Sequence, residues 1–193
     1  MKKSIKGTQT EKNLVTAFML KSYARMQYVF YAKQAKSDGY DQVSALFEET
    51  AFHDMVLGKR IYRHLEGGIV EVTTALQAGV IGDTVENLTT SISEKNREWG
   101  VLYPQFAETA EQEGFSSIAS TFRLIAKANA IHEEMFSKHL ERMKNGTFFE
   151  REEETEWYCR HCGYVHVGKR APKSCPACMH PQSYFEAKNN AYY

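Results

Sequence analysis

The chain has 193 residues, with 24 Lys+Arg against 24 Asp+Glu and a formal net charge of zero. That balance carries no electrostatic footprint for nucleic acid or an anionic membrane surface, so neither is expected as a partner. No apolar h-region follows Met1-Lys2-Lys3 and no run approaches the roughly 18 apolar residues of a membrane span, so a soluble, cytoplasmic protein is expected.

Thr8-x-x-Glu11 reads as a capping box. It opens a helix from about Thr10 to Ser37, which stops at Asp38-Gly39 with Gly past the end. The seam of this helix runs Leu14, Phe18, Lys21, Arg25, Tyr28, Ala32, Ala35, in steps of three and four. A second helix begins near Asp41 and ends at Glu66-Gly67-Gly68, with the seam Val43, Phe47, Thr50, Asp54, Leu57, Ile61, Leu65. Gly67 to Gly82 shows no helical period. Asp83-x-x-Glu86 caps a third helix to about Glu113, with the seam Val85, Leu88, Ile92, Lys95, Trp99, Leu102, Phe106. Pro104 inside it predicts a kink near Tyr103. A fourth helix runs from Ser116 or Ser117 to Asn145-Gly146, with the seam Ile118, Phe122, Ile125, Asn129, His132, Phe136, Leu140, Met143.

Four long amphipathic helices with this spacing predict a left-handed four-helix bundle over residues 1–148. Short turns make the first two and the last two helices antiparallel pairs. The 16-residue link between the pairs can span ~50 Å, more than the ~37 Å of a 25-residue helix. The expected fold is therefore mainly α, a ferritin-like bundle with one long crossover. Glu150, Glu152, Glu153, Glu154 and Glu156 then predict a solvated acidic linker over 149–156. A small domain over 157–193 completes the chain, with a loose tail from Lys188 to Tyr193.

That domain holds all four cysteines, as Cys159-Arg160-His161-Cys162 and Cys175-Pro176-Ala177-Cys178. Two C-x-x-C turns can set four thiolates at the corners of a tetrahedron and point backbone N–H groups at the sulfurs, which suits Zn²⁺ or a single iron. Disulfides or a redox C-x-x-C fit poorly with two pairs at this spacing and no secretory signature. Spacing alone leaves zinc and iron both open.

Cys162-Gly163-Tyr164 and Cys175-Pro176-x-Cys178, with Trp157 and Tyr158 before and Phe185 after, resemble the short-spaced rubredoxin module that ends rubrerythrins. The resemblance covers nearly the whole chain. It is close in Gly7 to Asn13, in Leu65-Glu66-Gly67-Gly68, in Ala78 to Thr84, in Tyr103-Pro104 and in Cys159 through Pro181. It implies an Fe(Cys)4 centre, short β-strands around it, and a head-to-tail homodimer. It also implies a non-haem peroxidase in which a bundle di-iron site reduces hydrogen peroxide with electrons from the cysteine-bound iron.

A di-iron carboxylate site needs carboxylates from all four helices and Glu-x-x-His pairs on two of them. Carried over residue by residue, the seven ligand positions here are Lys21, Asp54, Leu57, Lys95, Glu98, Asn129 and His132. Only Glu98 and His132 keep the family's residue type, and Asp54 keeps the charge on a shorter arm. The seams find the same positions independently, because Lys21, Asp54, Lys95, Asn129 and His132 are polar intrusions in apolar stripes. They are expected to meet at mid-height, with two ammonium groups where two metal ions would sit. His53, Glu49, Glu94 and Glu133 are expected mostly to face away from the seam. A shifted site built from them, or a single metal at Asp54, Glu98 and His132, are the lesser alternatives. His64, His139 and His161 are expected to be packing or surface residues, and Tyr28 and Tyr103 core residues.

Three functions follow. The first is a rubrerythrin-like electron carrier working through Fe(Cys)4, with a redox donor protein as a possible partner and its di-iron site replaced by a Lys/carboxylate cluster. The second is an active peroxidase with a di-iron centre, serving oxidative-stress defence. The third is a zinc-ribbon scaffold or interaction protein.

Overall fold

The structure, a computed structural model, describes residues 3–188; positions 189–193 of the tail lie outside them. The helices follow the periodicity closely: α1 is Gln9–Ser37, α2 Asp41–Tyr62, α3 Thr84–Arg97, α4 Tyr103–Gln112 and α5 Ser116–Lys144. α3 and α4 are one helix by sequence, joined by a π-helical turn at Glu98–Leu102. Both capping boxes form. Thr8 Oγ1 accepts from Glu11 N–H at 3.2 Å, while the Glu11 carboxylate reaches back to Gly7 N–H at 2.8 Å. Asp83 and Glu86 cap each other's N–H groups at 2.9 Å. α2 ends sooner than expected, because His64 and Leu65 close onto Ile61 and Tyr62 in tighter i→i+3 bonds.

The expected kink at Pro104 takes the form of the π turn. Tyr103 N–H bonds to Glu98 O, five residues back, and Pro104 falls in the first turn of α4, where its missing N–H costs little. The extra residue shifts the helix phase. The buried stripe therefore runs Leu88, Ser91, Lys95, Glu98, Tyr103, Phe106, Ala110. Trp99 and Leu102, expected on the seam, are only half-buried. On α1, Arg25 is exposed and Ala24 is buried instead.

The chain forms two units, and each long helix contributes to both. The first takes residues to Tyr28, Thr50–Val80 and Ser93–Glu133. Its core includes Leu14, Ala17, Ile61, Tyr103, Phe106, Phe122 and Ile125. The link after α2 has no regular structure. Within this unit, Tyr23 Oη donates to Gln77 O at 2.7 Å and accepts from Gly79 N–H at 3.1 Å.

The second unit takes Val29–Glu49, Ile81–Ile92 and Glu134 onward. It contains a three-stranded antiparallel sheet in the order β2-β1-β3, from β1 Glu150–Cys159, β2 Val165–Arg170 and β3 Phe185–Ala187. The acidic stretch over 149–156 is thus mostly strand and not a free linker. Its backbone pairs with β2, with a register shift between Glu150 and Thr155. Glu150 meets Arg170 at 2.8 Å, and Glu152 to Glu154 point to solvent. Tyr40 packs on Phe148 and Phe149 at ring distances of 5.1 and 6.2 Å. Arg160 reaches Asp41 at 3.3 Å. No helix among the described residues is long and apolar enough to cross a membrane.

Candidate metal centre and buried charge cluster

Each C-x-x-C turn is closed the same way. Gly163 N–H bonds to Cys159 O at 2.9 Å, and Met179 N–H bonds to Cys175 O at 2.8 Å. Both closing residues sit at positive φ, 80° for Gly163 and 63° for Met179, the latter unusual for a side-chain-bearing residue. The N–H groups of Cys162 and His161 point at the Cys159 sulfur, and those of Cys178 and Ala177 at the Cys175 sulfur. All four sulfurs lie within 4.8 Å of one another, with Cys159 Sγ 3.9 Å from Cys178 Sγ and Cys162 Sγ 3.7 Å from Cys175 Sγ. Metal–sulfur bonds of about 2.3 Å place tetrahedral sulfurs about 3.8 Å apart, so the four thiolates fit one metal ion. Cys159 and Cys175 are buried, Cys178 is half-buried and Cys162 is exposed. Trp157 and Phe185 back the site, and Trp157 Nε1 donates to Gly168 O at 2.9 Å. His161, a surface residue, stacks on His180.

In the first unit, α1, α2, α3, the π turn and α5 bring Lys21, Asp54, Lys95, Glu98 and Asn129 together. Lys21 Nζ donates to Asp54 Oδ1 (2.9 Å), Glu98 Oε2 (2.8 Å) and Asn129 Oδ1 (2.9 Å). Lys95 Nζ donates to both Asp54 oxygens (3.1 and 2.9 Å) and, at 3.4 Å, to Asn129 Oδ1. Asn129 Nδ2 donates to Glu98 Oε2 at 2.7 Å. The ammonium groups also face aromatic rings, Lys21 over Tyr103 at 5.6 Å and Lys95 over Tyr28 at 5.2 Å.

Burial works against the Lys21 charge, but Asp54 and Glu98 outweigh it and hold its pKa well above the ordinary range. Burial alone would raise the Asp54 pKa; Lys21 and Lys95 bring it down to about 2. Burial, with Lys21 adding to it, pulls Lys95 below the ordinary lysine range in spite of Asp54. Burial and then Lys95 lower His132 to about 3.

Of the seven carried-over positions, Lys21, Asp54, Lys95, Glu98 and Asn129 share this hydrogen-bonded cluster. Among the described residues the four cysteines are the only group of three or more His, Cys, Asp or Glu side chains gathered within reach of one ion. Asp54, Glu98 and His132 are not brought together as a mononuclear site. Leu57 is half-buried against the core. His132 turns toward His53, whose Nδ1 lies 3.2 Å from its Nε2, with the rings nearly parallel. His53 therefore faces inward, against the expectation that it points away. The available signal is that His53 precedes Leu57 by one turn on the same stripe. Glu133 accepts from Trp99 and Asn96, and Glu94 from Gln27.

Helices with polar mid-helix seams followed by a four-thiolate knuckle define a class of bundle proteins carrying a small metal module. The family described as Rubrerythrin matches residues 12–140 and 86–161, and that described as Rubrerythrin, rubredoxin-like domain matches residues 157–186. The chain is 50% identical to Rubrerythrin of Porphyromonas gingivalis over 192 residues, covering 100% of this chain and 96% of that protein. It is 46% identical to Rubrerythrin of Nitratidesulfovibrio vulgaris over 184 residues, covering 95% and 96%. A solved structure of fully reduced, all-ferrous nigerythrin aligns with a TM-score of 0.62 and 26% identity, over 95% of this chain and 91% of that one. The chain belongs to the rubrerythrin family, with a ferritin-like helical fold and a C-terminal rubredoxin-like domain.

Proposed function

We propose that the protein is a rubrerythrin-family electron carrier whose one working metal site is the four-cysteine knuckle, and that the bundle's di-metal site has been replaced by an ion-pair cluster. One observation carries this reading. Lys21 and Lys95, at positions where the family resemblance calls for carboxylates, both hydrogen-bond to Asp54 at 2.9 Å. Two ammonium groups beside two carboxylates leave little negative charge for two divalent cations.

At the knuckle, Cys159, Cys162, Cys175 and Cys178 would hold one iron, which supplies one-electron transfer when bound. The surrounding N–H groups bond to the sulfurs of Cys159 and Cys175 and would orient them toward the metal. Burial of these two sulfurs keeps water from one side, and exposed Cys162 would offer the edge for electron exchange once the metal is bound. A redox donor protein would meet this edge. We also propose a head-to-tail homodimer, which would cover the apolar groove lined by Phe52, Val56, Leu57 and Ile131. Light scattering of the protein and of Ile131→Glu tests it: the wild type should have twice the chain mass and the variant less.

The main experiment is metal content with a visible spectrum. About one iron per chain and a ferric-thiolate spectrum are expected, and about three irons would sink the reading. A colourless protein holding zinc would replace the electron carrier with a structural scaffold. The 50% identity along the whole chain favours a second reading, reduction of hydrogen peroxide. Stopped-flow mixing of the reduced protein with peroxide decides between the two. Fast reoxidation, lost when Glu98 and His132 are changed, would restore the enzyme.

A further inference from the structure

We infer that the buried cluster is a site of covalent self-modification, in which Lys95 Nζ replaces the amide nitrogen of Asn129 and ties α3 to α5 through an isopeptide bond with release of ammonia. The inference rests on the metal-free reading of the cluster given above.

Exchange of an amine into a carboxamide needs a nucleophile with a proton acceptor, a group to take up charge on the amide oxygen, a proton carrier at the leaving nitrogen, and exclusion of water. Each is present. Lys95 Nζ lies 3.4 Å from Asn129 Oδ1 and 2.9 Å from Asp54 Oδ2, the proton acceptor. Lys21 Nζ donates to the same Oδ1 at 2.9 Å, where negative charge develops as the carbonyl is attacked. Glu98 Oε2 is 2.7 Å from Asn129 Nδ2, the leaving nitrogen. Asn129 is 0% exposed, and Lys21, Asp54 and Lys95 are 1% exposed each. The two lysines differ as their roles require. Lys21 gives hydrogen bonds to three separate acceptors and stays an ammonium. Lys95 is held mainly by one carboxylate, and burial shifts it toward the free amine.

The atoms balance without an added reactant. Lys95 passes a proton to Asp54 and its lone pair adds to Asn129 Cγ. The surplus proton on the new C–N nitrogen moves to Glu98 and then to the departing NH2 group. The Cγ–Nδ2 bond breaks and NH3 leaves. An ammonium, a carboxylate and a carboxamide become a secondary amide, a neutral Asp54 and ammonia. The Lys21–Glu98 ion pair survives, so the buried charge remains balanced.

The test is the intact mass of the full-length, denatured protein, with tryptic mapping and iron analysis of the same sample. The expected protein is lighter than its sequence by one ammonia, and trypsin leaves Lys95 uncut, joining residues 64–97 to 128–138. Lys95→Arg and Asn129→Ala should each return the full sequence mass, and Glu98→Gln should slow the mass loss by about 100-fold. A wild-type protein that keeps its full mass after prolonged incubation, with about one iron per chain, overturns the cross-link and leaves the electron-carrier reading intact. About three irons per chain overturn both. Loss of ammonia without a joined peptide, as from a succinimide at Asn145-Gly146, also counts against the cross-link.

Discussion

Lys21 is fully buried, and three acceptors on three other elements depend on it. Removing it leaves two buried carboxylates with Lys95 as their one ammonium partner, an uncompensated buried charge that costs far more than the pair itself contributes. Lys21→Met should therefore destabilise the protein by ~3–5 kcal/mol, read as a shift in the urea midpoint at constant slope. A change below about 1 kcal/mol would mean that water reaches Glu98 and Asp54. His139 gives a second prediction, in the other unit. It is 1% exposed, its Nδ1 bonds to Met135 O at 2.7 Å, and Phe148 packs against its ring. Burial, with the charges of Arg142 and Arg151 adding to it, lowers its pKa to about 4. The unfolded chain takes up this proton near pH 6.5 and the folded chain does not. The stability is thus fully present above about pH 6.5 and falls as the pH drops toward 4, by about 1.4 kcal/mol per unit. His139→Phe should flatten that part of the stability curve. Equal pH slopes in the variant and the wild type would refute the assignment.

At the scale of the element, packing decides the helices more than propensity does. Gly58 sits inside α2, where glycine costs about 1 kcal/mol relative to alanine. An added Cβ would meet Lys21 Cβ at 3.6 Å and Phe18 at 3.8 and 3.9 Å, ordinary contact distances. Gly58→Ala should then raise stability by about 0.5–1 kcal/mol, measured by thermal unfolding. A loss would show that the helices cannot accept even a methyl group at this approach. The same close contacts explain what the sequence made legible. Lys21, Asp54, Lys95 and Asn129 stood out because a charge or amide in an apolar stripe is conspicuous, and C-x-x-C spacing carries its own geometry. The π turn was hidden because one extra residue only shifts the phase of the stripe, and a proline nearby offers a simpler reading. His53 was hidden because its partner lies on another helix. β1 was hidden because Glu152 to Glu154 look like solvated linker when only side chains are read, although it is the backbone that makes the ladder with β2.

At the scale of the whole molecule, metal is expected to matter to one unit far more than to the other. The buried core of the sheet consists of Trp157, Cys159, Ala171, Cys175, Phe185 and Ala187, two of them metal-binding cysteines. A three-stranded sheet around so small a core is marginal without a ligand bound to the folded state. Within that unit, Arg160 follows the first cysteine and pairs with Asp41 at the start of α2, while Tyr40 packs on Phe148 and Phe149 just before β1. Loss of the metal should therefore expose the amides of β1, β2 and β3 and also loosen the turn around Tyr40 and Asp41. The charge cluster of the other unit contains no cysteine and is held by its own ion pairs, so the amides around Asp54 and Asn129 should keep their protection. Hydrogen exchange with mass spectrometry, comparing metal-loaded and chelator-stripped protein, reads both regions at once. Protection lost equally around Asp54 would mean that a metal also supports the helices, and the replacement of the di-metal site by Lys21 and Lys95 would have to be abandoned.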